Sequence, residues 1–276
     1  MDDSVRPRAF ALVGPGRAGT ALSLALVERG WTAVAVAGRS PDAGSTRRAA
    51  AVLRTAAVPV EQAGRDARLV VVATPDAAIS GAARDLAPSL RPGTRVVHLS
   101  GARTLHEFDD LLLGRPDAEV GSLHPLQSLP SGELGRARLA GSWCAVDGPP
   151  FVERLARTLG MRPFRVAVDR GRYHAAACVA SNHLVALLGQ VERLARAAGV
   201  PFDAFLPLAR ASIENAAALG PAAALTGPVA RGDSATVAAH LAVLPEGERA
   251  AYRALAREAL RLATLEERSE LEDALS

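Results

Sequence analysis

The 276-residue sequence contains no lysine, so every cationic side chain other than histidine is an arginine. Lysine-dependent chemistry, such as Schiff-base formation or a lysine general acid, is therefore excluded. Aromatic residues make up only 4% of the chain, and its formal net charge is +3. Because the arginines are scattered and form no basic patch, we predict that the protein does not bind nucleic acid.

Cysteines and long apolar runs are also scarce. The two cysteines, Cys144 and Cys178, are far apart and lack metal-ligand spacing, so the sequence predicts no metal site. No uninterrupted apolar run reaches the ~18 residues that a membrane-spanning helix needs. Because the chain does not begin with a basic and then apolar segment, we expect a reduced, cytoplasmic protein that does not bind membranes.

The pattern of apolar residues divides the chain in two. Up to residue 168, strand-like runs alternate with helix-like runs, and the strand-like runs cover 9–14, 32–38, 67–74, 94–100, 118–124, 142–148 and 162–168. This alternation predicts an α/β fold, a doubly wound and mostly parallel Rossmann sheet, as a dinucleotide-binding domain over residues 1–168. Residues 169–276 show helical spacing throughout, which predicts an all-α domain.

A glycine-rich turn lies between the first strand-like run and the first helix-like run. In a dinucleotide-binding loop the first glycine permits the tight turn, the second lets a pyrophosphate approach, and the third allows close helix–strand packing. The N–H groups and the positive dipole end of the helix attract phosphates. A glycine turn without a ligand is the alternative interpretation. The residues expected to bind the cofactor here are Gly14, Pro15, Gly16, Arg17, Ala18 and Gly19.

The end of the second strand-like run indicates which dinucleotide is bound. NAD sites usually place Asp or Glu there for the ribose hydroxyls, whereas this chain has Arg39 and Ser40. A guanidinium matches the geometry of a 2′-phosphate, so we predict NADP, although Arg39 could instead be a solvated surface residue.

Two later strand ends are expected to contact the same cofactor. Thr74 and Pro75 follow the 67–74 run and are expected along the adenosine or diphosphate. Ser100 and Gly101 follow the 94–100 run and are expected near the nicotinamide. The basis for both predictions is that ligands of doubly wound sheets bind at the carboxyl ends of the strands.

His124 is the first candidate for the chemistry. It ends the 118–124 run at the edge of the sheet where ligands gather, and Gln127 lies nearby as a substrate contact. Histidine exchanges protons near neutral pH, so a His124 imidazolium is a candidate proton donor. A hydrogen-bonded structural histidine is the alternative.

A second group begins the helical half. His174, Ser181 and Asn182 are spaced by seven and eight residues, which puts them on one face of a regular helix. His174 is the other candidate proton donor or a substrate-binding residue, and Ser181 and Asn182 are expected to hold the reacting group. A buried network between helices explains the same residues without a substrate.

The segment "ALTGPVARGD" is the third candidate region. Thr226 and Arg231 are expected to bind substrate, with the guanidinium of Arg231 holding a carboxylate. Asp233 or Ser234 is also expected to cap the helix that follows.

Together these segments resemble a known group of proteins. The residues that carry the likeness are "LVGPGRAGTAL", "GRS", "ATPDAAI", "HLSGA", "GSLHPLQSL", "YHAAACVASNHLVALL" and "ALTGPVARGD". They resemble Rossmann-like NADP-binding oxidoreductases with a carboxyl-terminal helical domain of unknown function. The chain is more distantly similar to pyrroline-5-carboxylate reductase, ketopantoate reductase and the 6-phosphogluconate dehydrogenase superfamily. The resemblance covers nearly the whole chain and implies NAD(P)-dependent reduction and a helical domain that often mediates dimerisation.

One feature departs from those relatives. Ketopantoate reductases and hydroxyacid dehydrogenases of the superfamily generally use a lysine near the reacting carbonyl, and this chain has none. Their mechanism therefore does not transfer intact.

The sequence predicts an NADP(H)-dependent oxidoreductase that reduces a C=O or C=N bond of a small anionic substrate, such as a 2-oxo acid or cyclic imine. The helical residues 169–276 are expected to bind substrate and, being rich in Ala and Leu, to form a homodimer. One alternative is a catalytically silent NADP-binding sensor or regulatory protein. Another is a reductase that passes hydride between NADP and a second cofactor such as a deazaflavin. A polar cleft facing the nicotinamide would favour the enzyme over the sensor.

Overall fold

The computed structural model describes residues 8–167, 169–265 and 267–276. The chain divides into two compact units, Met1–Ser181 and Asn182–Ser276. Within the described residues, all strands lie in the first unit and the second unit is helical. None of the helices in these ranges is both long enough and apolar enough to cross a membrane.

Seven strands form a single sheet in the order β2-β1-β3-β4-β5-β6-β7. They are β1 (Ala9–Val13), β2 (Thr32–Ala37), β3 (Leu69–Val72), β4 (Arg95–His98), β5 (Glu119–Pro125), β6 (Trp143–Asp147) and β7 (Arg162–Phe164). All neighbouring strands are parallel except β5 and β6, which pair antiparallel. The predicted mostly parallel, doubly wound sheet is therefore confirmed.

Helices cover both faces of this sheet. They are α1 (Arg17–Glu28), α2 (Gly44–Leu53), α3 (Ile79–Leu86), α4 (Asp109–Gly114), α5 (Gly132–Leu139) and α6 (Pro150–Thr158), and a further helix, α7 (Arg170–Cys178), follows the last strand. Alternate residues of β1 belong to two separate cores. Phe10 and Leu12 pack in the core with α1, α2, α5 and α6, whereas Ala11 and Val13 pack in the core with α3 and α4. This burial on both faces explains why the strands are almost uniformly apolar.

The two strands that follow β1 in the chain lie on opposite sides of it in the sheet. β2 lies on one side of β1, and a parallel bridge joins Val36 of β2 to Ala57 on its outer side. The chain then returns to β3 on the other side of β1. In open parallel sheets the ligand crevice forms at such a switch point, beyond the carboxyl ends of the strands.

The second unit is built from helices around a small core. A π turn, Val179–His183, follows α7, and the helices of the unit are α8 (Leu184–Ala197), α9 (Leu206–Leu219), α10 (Pro221–Ala224), α11 (Ser234–Val243), α12 (Glu246–Leu262) and α13 (Ser269–Leu275). Val237, Leu260 and Leu271 are central to that core. Asp233 caps α11 by accepting from Thr236 N at 2.9 Å, which confirms the predicted cap.

Candidate functional site

Two of the three loop glycines are required by packing inside the protein. Gly14 has a φ of +90°, and a Cβ there would lie 2.5 Å from the backbone of Ala73 and Thr74 at the end of β3. A Cβ at Gly19 would lie 2.7 Å from the Ala73 side chain and from Gly14 O. The β1–α1 turn thus closes tightly against β3, as expected for the first and third glycines of a dinucleotide loop.

Gly16 is different, because a Cβ there would meet nothing within 4 Å among the described residues. Gly16 is the N-cap of α1, and the first turn of that helix carries no acidic residue and no side-chain cap. Pro15, Arg17 and Ala18 around it are exposed or half-buried. The amino end of α1 is therefore open to an anion such as a diphosphate.

Thr74 has an unsatisfied hydroxyl beside this loop. Its Oγ1 is buried and has no partner among the described residues. Pro75 follows it and is exposed. A buried polar atom of this kind needs a partner, and a bound dinucleotide is one group that can provide it.

Arg39 and Ser40 leave the end of β2 as exposed residues. A Cβ at Gly38 would overlap Thr46 Oγ1, so α2 packs closely where the chain turns. Ser40 Oγ accepts from Ala43 N at 3.1 Å, which orders the turn. Arg39 makes no ion pair with any described residue, so its guanidinium is available to a phosphate.

Ser100 orders the turn beyond β4. Its Oγ accepts from Ala102 N at 3.2 Å and from Arg103 N at 3.0 Å. Its N–H donates to Nδ1 of the buried His98 at 3.2 Å. Burial, reinforced by the positive charge of Arg170, lowers the pKa of His98 to about 4. His98 is therefore a neutral structural histidine at pH 7.

Gly101 brings the two predicted histidines together. A Cβ on Gly101 would lie 2.7 Å from His174 Cδ2 and 2.8 Å from His124 Cε1. The two imidazole centroids are 6.0 Å apart. Only a residue without a side chain fits between them, so the predicted contact at the end of β4 and the two candidate proton donors form one cluster.

Tyr173 completes that cluster and was missed by the sequence analysis. Its hydroxyl lies 2.6 Å from His124 Nδ1, and the rings meet edge to face at 5.6 Å. Burial, followed by the charges of His174 and Arg170, lowers the pKa of His124 to about 4, and burial raises the pKa of Tyr173 to about 12. At pH 7 His124 is therefore neutral, in contrast to the imidazolium expected from the sequence.

Arg170 holds this cluster in place. It is 8% exposed, and its Nη2 donates to Ser100 O at 3.0 Å and to Ser122 Oγ at 2.9 Å. These bonds tie the first residue of α7 to the turn after β4 and to β5. Asp169 caps α7 by accepting from Gly171 N. Tyr173 follows within the first turn, so its position over His124 depends on this anchor.

Two other predicted residues make local contacts. Gln127 is exposed, and its Oε1 accepts from Ser128 N at 2.8 Å. Ser181 is exposed, and its hydroxyl donates to Ala177 O at 2.8 Å. The predicted common face of His174 and Ser181 assumed regular α-helical spacing, which the π turn Val179–His183 interrupts.

The remaining predicted residues belong to the second unit. Asn182, Thr226 and Arg231 are all exposed. Arg231 ends a single 3₁₀ turn, Val229–Arg231, just before the Asp233 cap. The structure brings Gly101, His124 and His174 together, and the roles of Asn182, Thr226 and Arg231 stay predictions.

Comparison with known proteins identifies two domains in tandem. A Rossmann-like domain matches residues 4–123, and a domain of unknown function, DUF2520, matches residues 145–259. No curated protein matches the sequence significantly.

Several solved structures share the fold. A candidate NADP oxidoreductase from Bacteroides fragilis aligns with a TM-score of 0.79 at 23% identity, covering 92% of this chain and 98% of that chain. A semialdehyde dehydrogenase NAD-binding protein from Cupriavidus necator, in complex with calcium and NAD, gives 0.55 at 23% identity over 76% and 83%. A pyrroline-5-carboxylate reductase from Coxiella burnetii gives 0.56 at 15% identity over 98% and 99%. At these identities the likeness establishes a common fold.

The neutral histidines predict that the protein is sensitive to acid. Unfolded chains protonate histidine near pH 6.5, whereas folded His98 and His124 resist protonation down to about pH 4. Because the unfolded state binds more protons in that window, the free energy of unfolding should fall as the pH drops from 6.5 to 4. His98→Asn keeps an acceptor for Ser100 N. Between pH 7 and pH 5 this variant should lose about 2 kcal/mol less free energy of unfolding than the wild type.

Denaturant unfolding at the two pH values measures this effect. His106→Asn, at an exposed histidine of the same unit, is the matched control. Its free energy of unfolding should fall between pH 7 and pH 5 as much as that of the wild type. An acid-induced loss in His98→Asn equal to that of the wild type would contradict the prediction.

Proposed function

We propose that this chain, which matches a Rossmann-like domain over residues 4–123 and DUF2520 over residues 145–259, is an NADP(H)-dependent oxidoreductase that reduces a C=O or C=N bond of a small anionic substrate. One observation carries the proposal. A glycine loop that is open at Gly16 and a cluster of two imidazoles around Gly101 follow the carboxyl ends of parallel strands in one sheet. Fold neighbours named for NADP or NAD support a nicotinamide dinucleotide as the cofactor.

The cofactor supplies the hydride, and the chain binds and orients it. In the proposal the amino end of α1 faces the diphosphate, with Thr74 and Pro75 beside it. Arg39 and Ser40 bind the 2′-phosphate, because a guanidinium without an ion-pair partner is available at that position. Ser100 and Gly101 approach the nicotinamide.

The reacting group of the substrate is placed at Gly101 beside the imidazoles. His124 or His174 donates the hydrogen bond and proton that a carbonyl or imine needs as hydride arrives. Ser181 and Asn182 hold the reacting group, and Gln127 is a further substrate contact. A 2-oxo acid or a cyclic imine with a carboxylate is the substrate class that suits this set.

A carboxylate on the substrate needs a cationic partner. The chain has no lysine, so an arginine must provide the charge, and Arg231 together with Thr226 is the proposed pair.

A catalytically silent NADP-binding sensor is the second candidate. The lowered pKa of His124 favours it, because the imidazole is not a cationic acid at pH 7. One measurement distinguishes the reductase from the sensor, which is turnover in the presence of bound NADPH.

The first prediction for this function concerns cofactor binding and selectivity. NADPH should bind at least about tenfold more tightly than NADH, which corresponds to about 1.4 kcal/mol for the phosphate–arginine contact. Arg39→Ala should abolish this preference. Gly16→Val should abolish binding of both nucleotides while leaving the free energy of unfolding unchanged, because its side chain enters open space. Fluorescence or calorimetric titration measures all of these affinities.

Matched controls are available on the same unit. Arg154→Ala removes an exposed arginine from α6, which packs on β5, β6 and β7 toward the opposite edge of the sheet from β2, and Gly114→Val fills another open glycine. Both should bind NADPH as the wild type does. Equal wild-type affinities for NADPH and NADH would overturn the choice of NADP.

The second prediction concerns turnover. A screen of 2-oxo acids and cyclic imines that follows NADPH absorbance should find a substrate. His124→Asn should then lower kcat by about 10²–10⁴-fold if His124 is the donor, and His174→Asn should do so if His174 is. NADPH affinity should stay close to wild type in both variants. Full turnover in both would exclude the two imidazoles as donors.

We also propose that the second unit forms a homodimer. Helix α9 has no buried residue, and Arg210 and Glu214 are its only charged residues. Leu208, Ile213 and Leu219 are 66%, 52% and 63% exposed. A helix that is apolar on most sides is normally buried, and a second copy related by a twofold axis covers such a surface symmetrically.

The dimer can be tested by mass. Light scattering at micromolar concentration should give a dimeric mass for the wild type. A charge in the apolar contact is costly, so Leu208→Glu and Ile213→Glu should shift the mass toward that of a monomer. Leu113→Glu, at a leucine of the first unit that is 84% exposed, is the control and should stay dimeric. A monomeric wild type would contradict the proposal.

A further inference from the structure

The contact between Tyr173 and His124 determines which ring nitrogen of His124 carries the proton. The hydroxyl lies 2.6 Å from Nδ1. Nε2 has no hydrogen-bond partner among the described residues and would lie 2.9 Å from a Cβ on Gly101. The ring therefore has one nitrogen held by the protein and the other directed to the proposed reaction centre.

The chemistry of the two groups gives the direction of the hydrogen bond. A phenol is the stronger acid, and the lone pair of a neutral imidazole nitrogen is the stronger acceptor. Tyr173 keeps its proton at neutral pH, because burial raises its pKa to about 12. The hydroxyl thus donates to Nδ1, and the single proton of the neutral ring is on Nε2.

We propose that Tyr173 is a positioning residue for the proposed reduction, since its hydrogen bond to Nδ1 holds the His124 proton on Nε2, beside Gly101, ready for the substrate. This inference rests on the proposed function. It assigns His124, and not His174, as the donor.

The surroundings of Tyr173 make it suitable for this role. Its ring packs edge to face against Phe164 at 5.7 Å and against His124 at 5.6 Å. The buried Arg170 lies three residues earlier on the same helix and fixes its position. The phenol therefore has little freedom to turn away from Nδ1, and the imidazole is held before any ligand arrives.

The same hydrogen bond lets Tyr173 replace the proton that His124 gives to the substrate. As hydride adds to the carbon of the C=O or C=N bond, the oxygen or nitrogen of that bond takes the proton from Nε2. The Tyr173 hydroxyl proton moves to Nδ1, so the ring stays neutral and does not become an imidazolate. The tyrosinate then recovers a proton from water. The net change in the substrate is the addition of one hydride and one proton.

The tautomer of His124 is the direct test and needs no turnover. With ¹⁵N-labelled histidine, the nitrogen shifts and the couplings to ring protons identify the protonated nitrogen, and the signals are assigned by their loss in His124→Asn. Wild-type protein at pH 7 should show His124 with its proton on Nε2. Tyr173→Phe keeps the ring contacts and removes only the hydroxyl, so Nδ1–H should become populated.

The chain offers a matched control in its second unit. Tyr252 lies with its hydroxyl 2.8 Å from His240 Nδ1, and the two ring centroids are 5.9 Å apart. Tyr252→Phe removes the same group from a comparable histidine contact. It should leave the His124 tautomer and the turnover unchanged.

Kinetics provide the second readout. Tyr173→Phe should lower kcat by about tenfold to a hundredfold, part of the effect expected for a general acid, while KM and the Kd for NADPH change little. An unchanged tautomer in Tyr173→Phe, or wild-type His124 with its proton on Nδ1, overturns the inference. A wild type that binds NADPH but has no turnover overturns the proposed function. The NMR measurement then still decides whether Tyr173 determines the tautomer of His124.

Discussion

The candidate site depends on one buried cation. The Arg170 guanidinium bonds Ser100 O and Ser122 Oγ with a single nitrogen, and no carboxylate among the described residues lies within 4 Å of it. Burial lowers the pKa of Arg170, yet arginine stays charged in proteins. The result is a fixed positive charge that joins α7 to β4 and β5 and that adds to the effect of burial in lowering the pKa of His98 and of His124.

The glycines of the two loops illustrate two different reasons for lacking a side chain. Gly14 and Gly101 are required because other parts of the same chain occupy the space where a Cβ would be. Gly16 has no such neighbour among the described residues, so packing within this chain does not require a glycine there. Openness alone does not indicate a ligand, since Gly114 is equally open; at Gly16 it counts together with the uncapped amino end of α1 and the spacing of the three glycines.

The sequence predicted the sheet well because buried parallel strands and amphipathic helices each leave a local pattern of apolar residues. It also placed His124 and Gly101 at strand ends, where topology alone brings groups together. It missed Tyr173 and Arg170, because a hydrogen bond between residues 49 apart and the burial of an arginine are tertiary effects. Helical periodicity also does not reveal which unit a helix packs with, so the domain bounds 1–168 and 169–276 stay a prediction.

The one antiparallel pairing in the sheet has a consequence for His124. The pairing of β4 with β5 ends at Ser122, and β5 continues through His124 and Pro125 only because β6 pairs with it there. The imidazole is thus carried by a hydrogen-bonded strand and not by the connection that follows. The connection after Leu126, whose N–H still donates to Trp143 O at 2.9 Å, can therefore change in sequence while the imidazole keeps its place. In the proposed reduction, this separation lets the connection that contacts the substrate vary without moving the proposed proton donor.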